Sequence, residues 1–312
     1  MERKIKYITA DEENGHTVKD ILRHHFRLSA RQISRAKFLA GGILVNGEEV
    51  TVRRLLNPGD VLTVTLEDKE AGSHQLLPQP GDLDIRYEDD DLLLVNKPAG
   101  LVVHPSPGHY ADSLANILVW HYGQQDEHIV VRPVGRLDRE TSGLIYIAKN
   151  KAAVRSMELQ RTAGEMERHY LALVHGSPAQ DEGIIDEPIG PDPDVWMKQR
   201  VTEDGAYAKT AYRVRERFDG YSLVELHLFT GRTHQIRVHM SWLGHPLLGD
   251  SMYGDATLTE ENSRENLESG EFGMTRTALH SWRLVCTQPF SGERLEFTCE
   301  LPEDMRRLVE RE

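Results

Sequence analysis

The feature that most constrains this chain is a polar, glycine-bounded turn between two apolar runs: Gly135-Arg136-Leu137-Asp138-Arg139-Glu140-Thr141-Ser142-Gly143-Leu144. Val130-Val131 precede it, and Leu144 to Ala148 follow. Short apolar runs of this kind read as buried strands, and a glycine at each end lets the backbone turn sharply between them. The turn therefore holds Asp138 at the mouth of a sheet and outside its apolar face. Arg136 stands two residues earlier. A guanidinium beside a carboxylate favours the ionised form, which nucleophilic or general-base chemistry requires. On spacing alone, a surface loop with a structural Arg–Asp pair is the simpler account.

The chain has 312 residues, 39% hydrophobic and 28% charged, enough for two globular domains. Met1 to Gly15 is charged and lacks the apolar core of a signal peptide, and no run approaches bilayer-spanning length. A cytoplasmic monomer with no membrane partner is expected. Cys286 and Cys299 are too few for a disulfide framework or a four-cysteine zinc site, so free thiols are expected. The net charge of -13 opposes nucleic-acid binding only as an average. Residues 1–65 carry 11 Lys and Arg against 8 Asp and Glu, and the remainder carries 26 against 42. Part of that excess sits in patches such as Glu88 to Asp91 and Glu260 to Glu271, and phosphates respond to local basic patches.

Near the N-terminus, Val18, Ile21, Leu22 and Phe26 recur at helical spacing. Ser29-Ala30-Arg31-Gln32 has the form of a capping box, so a second helix starts near Ala30 with Ile33, Ala36 and Leu39 facing inward. Arg31 and Arg35 share an exposed face, with Arg27 and Lys37 close by. Gly41-Gly42 stops the helix; Ile43 to Val45, an Asn46-Gly47 hairpin signal and Val61 to Val64 follow as strands. The order of elements over residues 15–65 is similar to the alpha-L RNA-binding motif of ribosomal proteins and RNA enzymes. Glu67 to Gly81 is polar and rich in Gly, Ser and Pro, and reads as a linker. The resulting division is a module over 1–66, a linker over 67–81 and a larger domain over 82–312.

Further along, Leu92 to Val95 forms a strand candidate and Asn96-Lys97-Pro98-Ala99-Gly100 a turn, with His104-Pro105 beyond. Asn150 caps a helix over about 151–162, and Arg168 to Val174 alternates as a half-buried strand does. Tyr170 shares a face there with Arg168, Ala172 and Val174, and on pattern alone it is a sheet-face aromatic. Thr230-Gly231-Arg232-Thr233-His234-Gln235-Ile236-Arg237-Val238-His239 gathers two arginines and two histidines. The histidine spacing does not match His-Glu-x-x-His, so no metal site is expected and His239 reads as packed and hydrogen-bonded. Residues 255–275 look like an acidic, loop-like insertion.

Together these blocks resemble the RluA-type pseudouridine synthases, in order over about residues 83–305. Gly135 stands where that family more often has histidine, and Arg168 where it more often has lysine. The resemblance implies an α+β fold, a mixed and mostly antiparallel sheet with flanking helices, preceded by the small RNA-binding module. It also implies isomerisation of uridine in RNA, with Asp138 as the catalytic carboxylate, Arg232 paired to it and Tyr170 against the target base. Arg136, Arg237, Leu144 and Ile145 are expected to contact or support the substrate, and the Lys97 turn to line the site. The reaction needs no cofactor. Large-subunit ribosomal RNA is the favoured partner and transfer RNA the second. The competing reading is a non-catalytic RNA-binding ribosome-assembly factor. A carboxylate glycosidase using Asp138 with Glu140 fits less well, because alternate residues on an extended loop point apart. A zinc deaminase lacks its Pro-Cys-x-x-Cys motif.

Overall fold

The computed structural model describes residues 2–67, 76–127, 129–254 and 271–310. The N-terminal module starts with strand β1 (Glu2–Ile8), which sequence periodicity does not reveal because only Ile5 among its residues is buried. Thr17 caps a helical turn α1 (Val18–Asp20), which widens over Ile21–His25. Helix α2 (Ala30–Lys37) begins as expected, with Ser29 accepting from Gln32 N–H and the Gln32 side chain accepting from Ser29 N–H. Strands β2 (Ile43–Val45), β3 (Glu48–Glu49) and β4 (Val61–Glu67) complete a sheet of order β1-β4-β2-β3. Asn46 and Gly47 both take positive φ, as a two-residue hairpin turn requires.

The larger domain runs β5 (Asp84–Glu88), β6 (Leu92–Lys97), α3 (Leu114–Gly123), β7 (Arg132–Pro133), β8 (Ser142–Ala148), α4 (Lys151–Ala163) and β9 (Glu167–His175). It continues with β10 (Glu182–Ile185), β11 (Ile189–Pro191), β12 (Gln199–Val201), β13 (Thr210–Arg217), β14 (Tyr221–Leu228) and α5 (Gln235–Trp242). After the undescribed stretch come β15 (Leu279–Thr287), β16 (Arg294–Thr298) and α6 (Glu303–Val309). The main sheet has the order β10-β13-β14-β9-β15-β8-β6-β5, with β16 on β15 and β7 on β8. All its pairings are antiparallel except β15 with β8, where His280 faces Ser142 and Ser281 faces Gly143. The fold class expected from sequence, α+β with a mixed and mostly antiparallel sheet, is the one found.

Alternation along β8 separates two cores. Leu144, Tyr146 and Ala148 pack on one face with α4 and the N-terminal module, while Ile145 and Ile147 pack on the other with α3, α5 and Tyr170. The module is held on the first face. Its Phe26 ring lies 6.0 Å from Phe290, and Arg3 makes a bidentate pair at 2.9 Å with Asp91, which is 1% exposed. The expected linker is only partly a linker. Residues 68–75 lie outside the described residues, but the stretch after them is strapped to α3, where Asn116 Nδ2 donates to Leu77 O at 2.8 Å. Most of the acidic insertion, 255–270, is likewise outside the described residues. Its end is anchored by Met274, which is buried with Leu173 and Leu248.

The parallel junction between β8 and β15 requires a glycine. Gly143 has φ +106, and a Cβ there would come within 2.2 Å of Ser281 O. Beside it, His280 is buried between Ser142 Oγ, 2.9 Å from Nδ1, and the Cys299 thiol, 3.1 Å from Nε2. Both cysteines are free and buried. Burial pushes His280 down from 6.5 to about 4. The unfolded chain therefore takes up a proton near pH 6.5 that the folded chain refuses until about pH 4. Stability is expected to fall as pH drops through that window, by on the order of 3 kcal/mol from this group. Urea midpoints measured from pH 7 to pH 4 check this, and a His280→Gln variant should show a flatter profile.

Candidate active site

The turn after β7 carries Asp138 to the edge of the second core. It lines a shallow cleft together with Arg136, Leu137, Tyr170, Arg232, His234 and Arg237, and Leu228, Ile236 and Leu279 supply further apolar wall. The cleft holds about 50 Å³. That is well below the roughly 300–1,000 Å³ of pockets that engulf a ligand. A site of this size grips part of one ring and leaves the rest of a large substrate on the surface.

The turn is fixed from below. Lys97 has no exposed surface, and its ammonium donates to Pro98 O and Leu101 O at 2.8 Å and to Arg139 O at 3.2 Å. Gly100 N–H also donates to Arg139 O, at 2.9 Å. Three carbonyls match the three hydrogens of an ammonium, while burial pushes the group down from 10.5 to about 7. The turn expected to line the site thus buttresses it instead, because Lys97 points under the Asp138 loop and away from the cleft.

The cation facing Asp138 comes from α5. Arg237 Nη1 lies 3.4 Å from Asp138 Oδ2, while its Nε and Nη2 grip Asp250 at 2.6 and 2.8 Å. Tyr253 covers the guanidinium, with its ring centroid 4.9 Å from Cζ. Burial lowers the Arg237 pKa, but hydrogen bonds and charge from Asp250, with charge from Asp138, outweigh it and the net shift is upward. The pairing expected for Arg232 is therefore made by Arg237. Arg232 precedes the helix, is exposed at the cleft's rim, and donates from Nε to Tyr207 O at 2.8 Å.

Buried Gln235 sets the start of α5. Its Oε1 accepts from Thr230 Oγ1 and Arg232 N–H, and its Nε2 donates to Lys209 O and Thr210 Oγ1. Before it, His234 sits at φ 56, a left-handed backbone held only where the surroundings impose it. This aims the ring at the carboxylate, with Nε2 3.9 Å from Asp138 Oδ2 and Nδ1 2.9 Å from Tyr253 Oη. Burial lowers its pKa, so the neutral ring is favoured. With Nδ1 assigned as acceptor from Tyr253, the remaining N–H points toward Asp138. Tyr170 is buried on β9, and burial raises its pKa.

Other expectations divide. Leu144 and Ile145 are buried and neither lines the cleft: strand alternation turns Leu144 to the opposite core, and Ile145 lies beneath the wall. Arg136 is exposed at the rim, 3.3 Å from Thr233 Oγ1, whereas the neighbouring Arg139 donates from Nε to Gly100 O at 3.2 Å. Glu140 turns away and accepts from Thr277 N–H at 3.0 Å, so it makes no pair with Asp138. His239 is packed as expected, between Thr210 Oγ1 and Glu187 O. Of the four module cations, Arg31 and Lys37 are exposed, and Arg35 lines a cleft of about 460 Å³ between module and larger domain with Arg3, Lys4 and Lys149. Arg27 is paired at 2.8 Å to Glu165 after α4, so it joins the two parts of the protein while staying partly exposed. Sequence reading assigned no role to His234, Asp250 or Tyr253, whose importance depends on which neighbours α5 meets. Among the described residues, no group of three or more His, Cys, Asp or Glu is placed to hold a metal ion. Nor is any helix there long and apolar enough to cross a membrane.

The sequence profile of the RNA pseudouridylate synthase family matches residues 91–242, which span Asp138, Tyr170 and Arg237. RNA pseudouridine synthase YlyB of Bacillus subtilis is 44% identical over 86% of this chain and 85% of its own length. Ribosomal large subunit pseudouridine synthase D of Vibrio cholerae is 37% identical over 95% of this chain and 90% of its own. Among solved structures, human RNA pseudouridylate synthase domain containing 4 superposes with a TM-score of 0.58 at 26% identity, covering 72% of this chain and 91% of that one.

Replacing Lys97 with Met removes a donor from three carbonyls but also relieves the burial of a charge. The two effects largely offset, so global stability should change by less than about 2 kcal/mol. The Asp138 turn should loosen instead. Amide exchange at Gly100 and Thr141, whose N–H groups donate to Arg139 O and Asp138 O, is expected to speed up at least roughly tenfold.

Proposed function

This chain belongs to the RNA pseudouridine synthases of the RluA-like family and is an isomerase of uridine in RNA; we propose that Asp138 is its reacting carboxylate and large-subunit ribosomal RNA its substrate. The observation that carries the first part is the approach of Arg237 to Asp138, backed by Asp250, in a cleft walled by Tyr170 and leucines. The second part is supported by relatives named for the ribosomal large subunit, at 37% and 35% identity over more than nine-tenths of this chain.

The reaction breaks the bond from the uracil ring nitrogen to the ribose and remakes it to ring carbon 5. The carbon-5 proton leaves to solvent and the nitrogen gains one, so no electrons are exchanged. A carboxylate held at fixed distance from a buried cation is preorganised for a step in which charge develops at the sugar or base. Tyr170, Leu137, Leu228 and Leu279 offer the freed base a surface that excludes water. A stacked uridine cannot reach Asp138, so the nucleotide swings out of its helix or loop first. The rim arginines Arg136 and Arg232 stand ready for the neighbouring phosphates, and the exposed cations Arg31 and Lys37 of α2 offer the RNA a second contact surface.

Total RNA from cells lacking the protein, made with uridine tritiated at carbon 5, provides the assay. Wild type is expected to release tritium to water. Asp138→Asn should fold and bind RNA but release at least about 10³-fold more slowly. Normal release by that variant would remove Asp138 from the chemistry. Repeating the assay on separated ribosomal and transfer RNA decides the substrate class.

Deleting residues 1–66 removes the exposed cations of α2 and also uncovers the core around Phe290. The truncated protein is therefore expected to lose both thermal stability and RNA affinity. Reversing charge with Arg31→Glu and Lys37→Glu tests docking without exposing that core. Weaker binding with a shallower salt dependence is the expected result. Unchanged affinity in the double variant would refute the docking role of α2.

A further inference from the structure

We propose that Trp196 is a stacking platform for a nucleobase flanking the target uridine. The proposal rests on this chain being an RNA pseudouridine synthase and adds a contact outside the cleft itself.

Trp196 stands at the tip of the hairpin between β11 and β12, with 89% of its surface exposed, and Val195 and Met197 beside it are also exposed. An indole in water is a cost unless something covers it. Its exposure does not come from a loose chain. Asp192 N–H donates to Lys198 O at 2.9 Å, Lys198 N–H to Val195 O at 3.2 Å, and Asp192 Oδ1 accepts from Asp194 N–H at 2.9 Å. Met197 takes φ 64, a left-handed backbone at the tip. The hairpin is built to present this ring.

The base of the hairpin is wired to the site. Gln199 N–H donates to Tyr253 Oη at 2.8 Å, and Lys198 Nζ lies 5.6 Å from the same ring. Tyr253 in turn contacts His234 and Arg237, the two α5 residues that face Asp138. Ile189 and Val201 pack with Val238 of α5 and Tyr253 in a small separate core. The base of the hairpin is therefore joined to the site, and Lys198 and Arg200 follow the tip. Asp192 uses Oδ1 within the loop, and the exposed Asp194 stands two residues before the indole. With two acidic and two basic side chains the hairpin has no net charge, so it is the exposed indole beside the site that fits a nucleic-acid strand, whose bases stack on an aromatic face.

The test uses the full chain, with tritium-labelled total RNA from cells lacking the protein as probe. Trp196→Ala is expected to raise the half-saturating RNA concentration by roughly 5- to 100-fold, and Trp196→Phe to stay within a few fold of wild type. Adding the RNA should quench wild-type tryptophan emission more than that of Trp196→Phe. Half-saturation within twofold of wild type for Trp196→Ala would overturn the proposal and leave the tip to a protein contact. Equal loss in the Ala and Phe variants, or equal quenching of wild type and Trp196→Phe, would overturn it as well. Absence of tritium release by wild type would count against the activity, a result separate from any change in quenching.

Discussion

The site depends on one buried guanidinium shared between two carboxylates. Arg237 is held by Asp250 through two parallel hydrogen bonds and turns its remaining nitrogen to Asp138. A bidentate grip fixes the plane of the group as well as its place. The third contact is longer, and Asp138 is the more exposed of the two partners. The arrangement thus has a rigid half on α5 and an accessible half on the turn. Arg237 would be costly to bury with only one carboxylate in reach of solvent, and Asp250 removes that cost. Asp250 in turn accepts from the Met252 and Tyr253 amides, so the chain after α5 is shaped by the same carboxylate that anchors the helix.

A rigid cation is useful only if the opposing carboxylate is equally well placed, and the sheet provides this. Asp138 sits between β7 and β8, and β8 lies beside β15 in the one parallel pairing of the main sheet. Gly143 permits that close pairing, Lys97 and Gly100 hold the Arg139 carbonyl from β6, and Arg276 Nη1 donates to Glu140 O from the segment before β15. Segments beside β6, β8 and β15 therefore hold the turn at Arg139, Glu140 and Gly143. Such support from secondary structure places a loop side chain with the precision expected of one on a helix or strand.

Local signals were legible in the sequence where a single segment determines its own shape. The Ser29 and Asn150 caps, the Asn46-Gly47 turn and the alternating strand around Tyr170 depend on neighbours a few residues away. Arg232 and Arg237 could not be separated that way. Both belong to one basic block, and only the helix that starts between them sends the second inward while the first stays at the rim. Leu144 and Ile145 were read as a pair, although a strand must send adjacent side chains to opposite faces. Asp250 falls in a stretch, Gly249-Asp250 to Tyr253-Gly254, that continues the family resemblance, but its role is defined by a partner on another element. Strand β1 was hidden for a related reason: its charged side chains outnumber the one buried Ile5, and Arg3 acquires its meaning from Asp91 in the other domain.

The acidity of the chain has a structural cause that reconciles it with an RNA substrate. The run Glu88 to Asp91 looks in sequence like a repulsive patch. In the fold, Asp91 is buried against Arg3 and Asn150, Asp89 accepts from the Tyr87 hydroxyl and the Leu92 amide, and Glu88 pairs with Lys149. Glu165 joins Arg27, and Asp250 is enclosed with Arg237. These carboxylates neutralise cations inside the protein or at the seam between its two parts, and they project little field toward a ligand. At the cleft the balance is reversed, because Arg136 and Arg232 are exposed around the accessible carboxylate of Asp138. A polyanion approaching that rim meets local positive charge within a Debye length, where the sum over the whole chain has little influence.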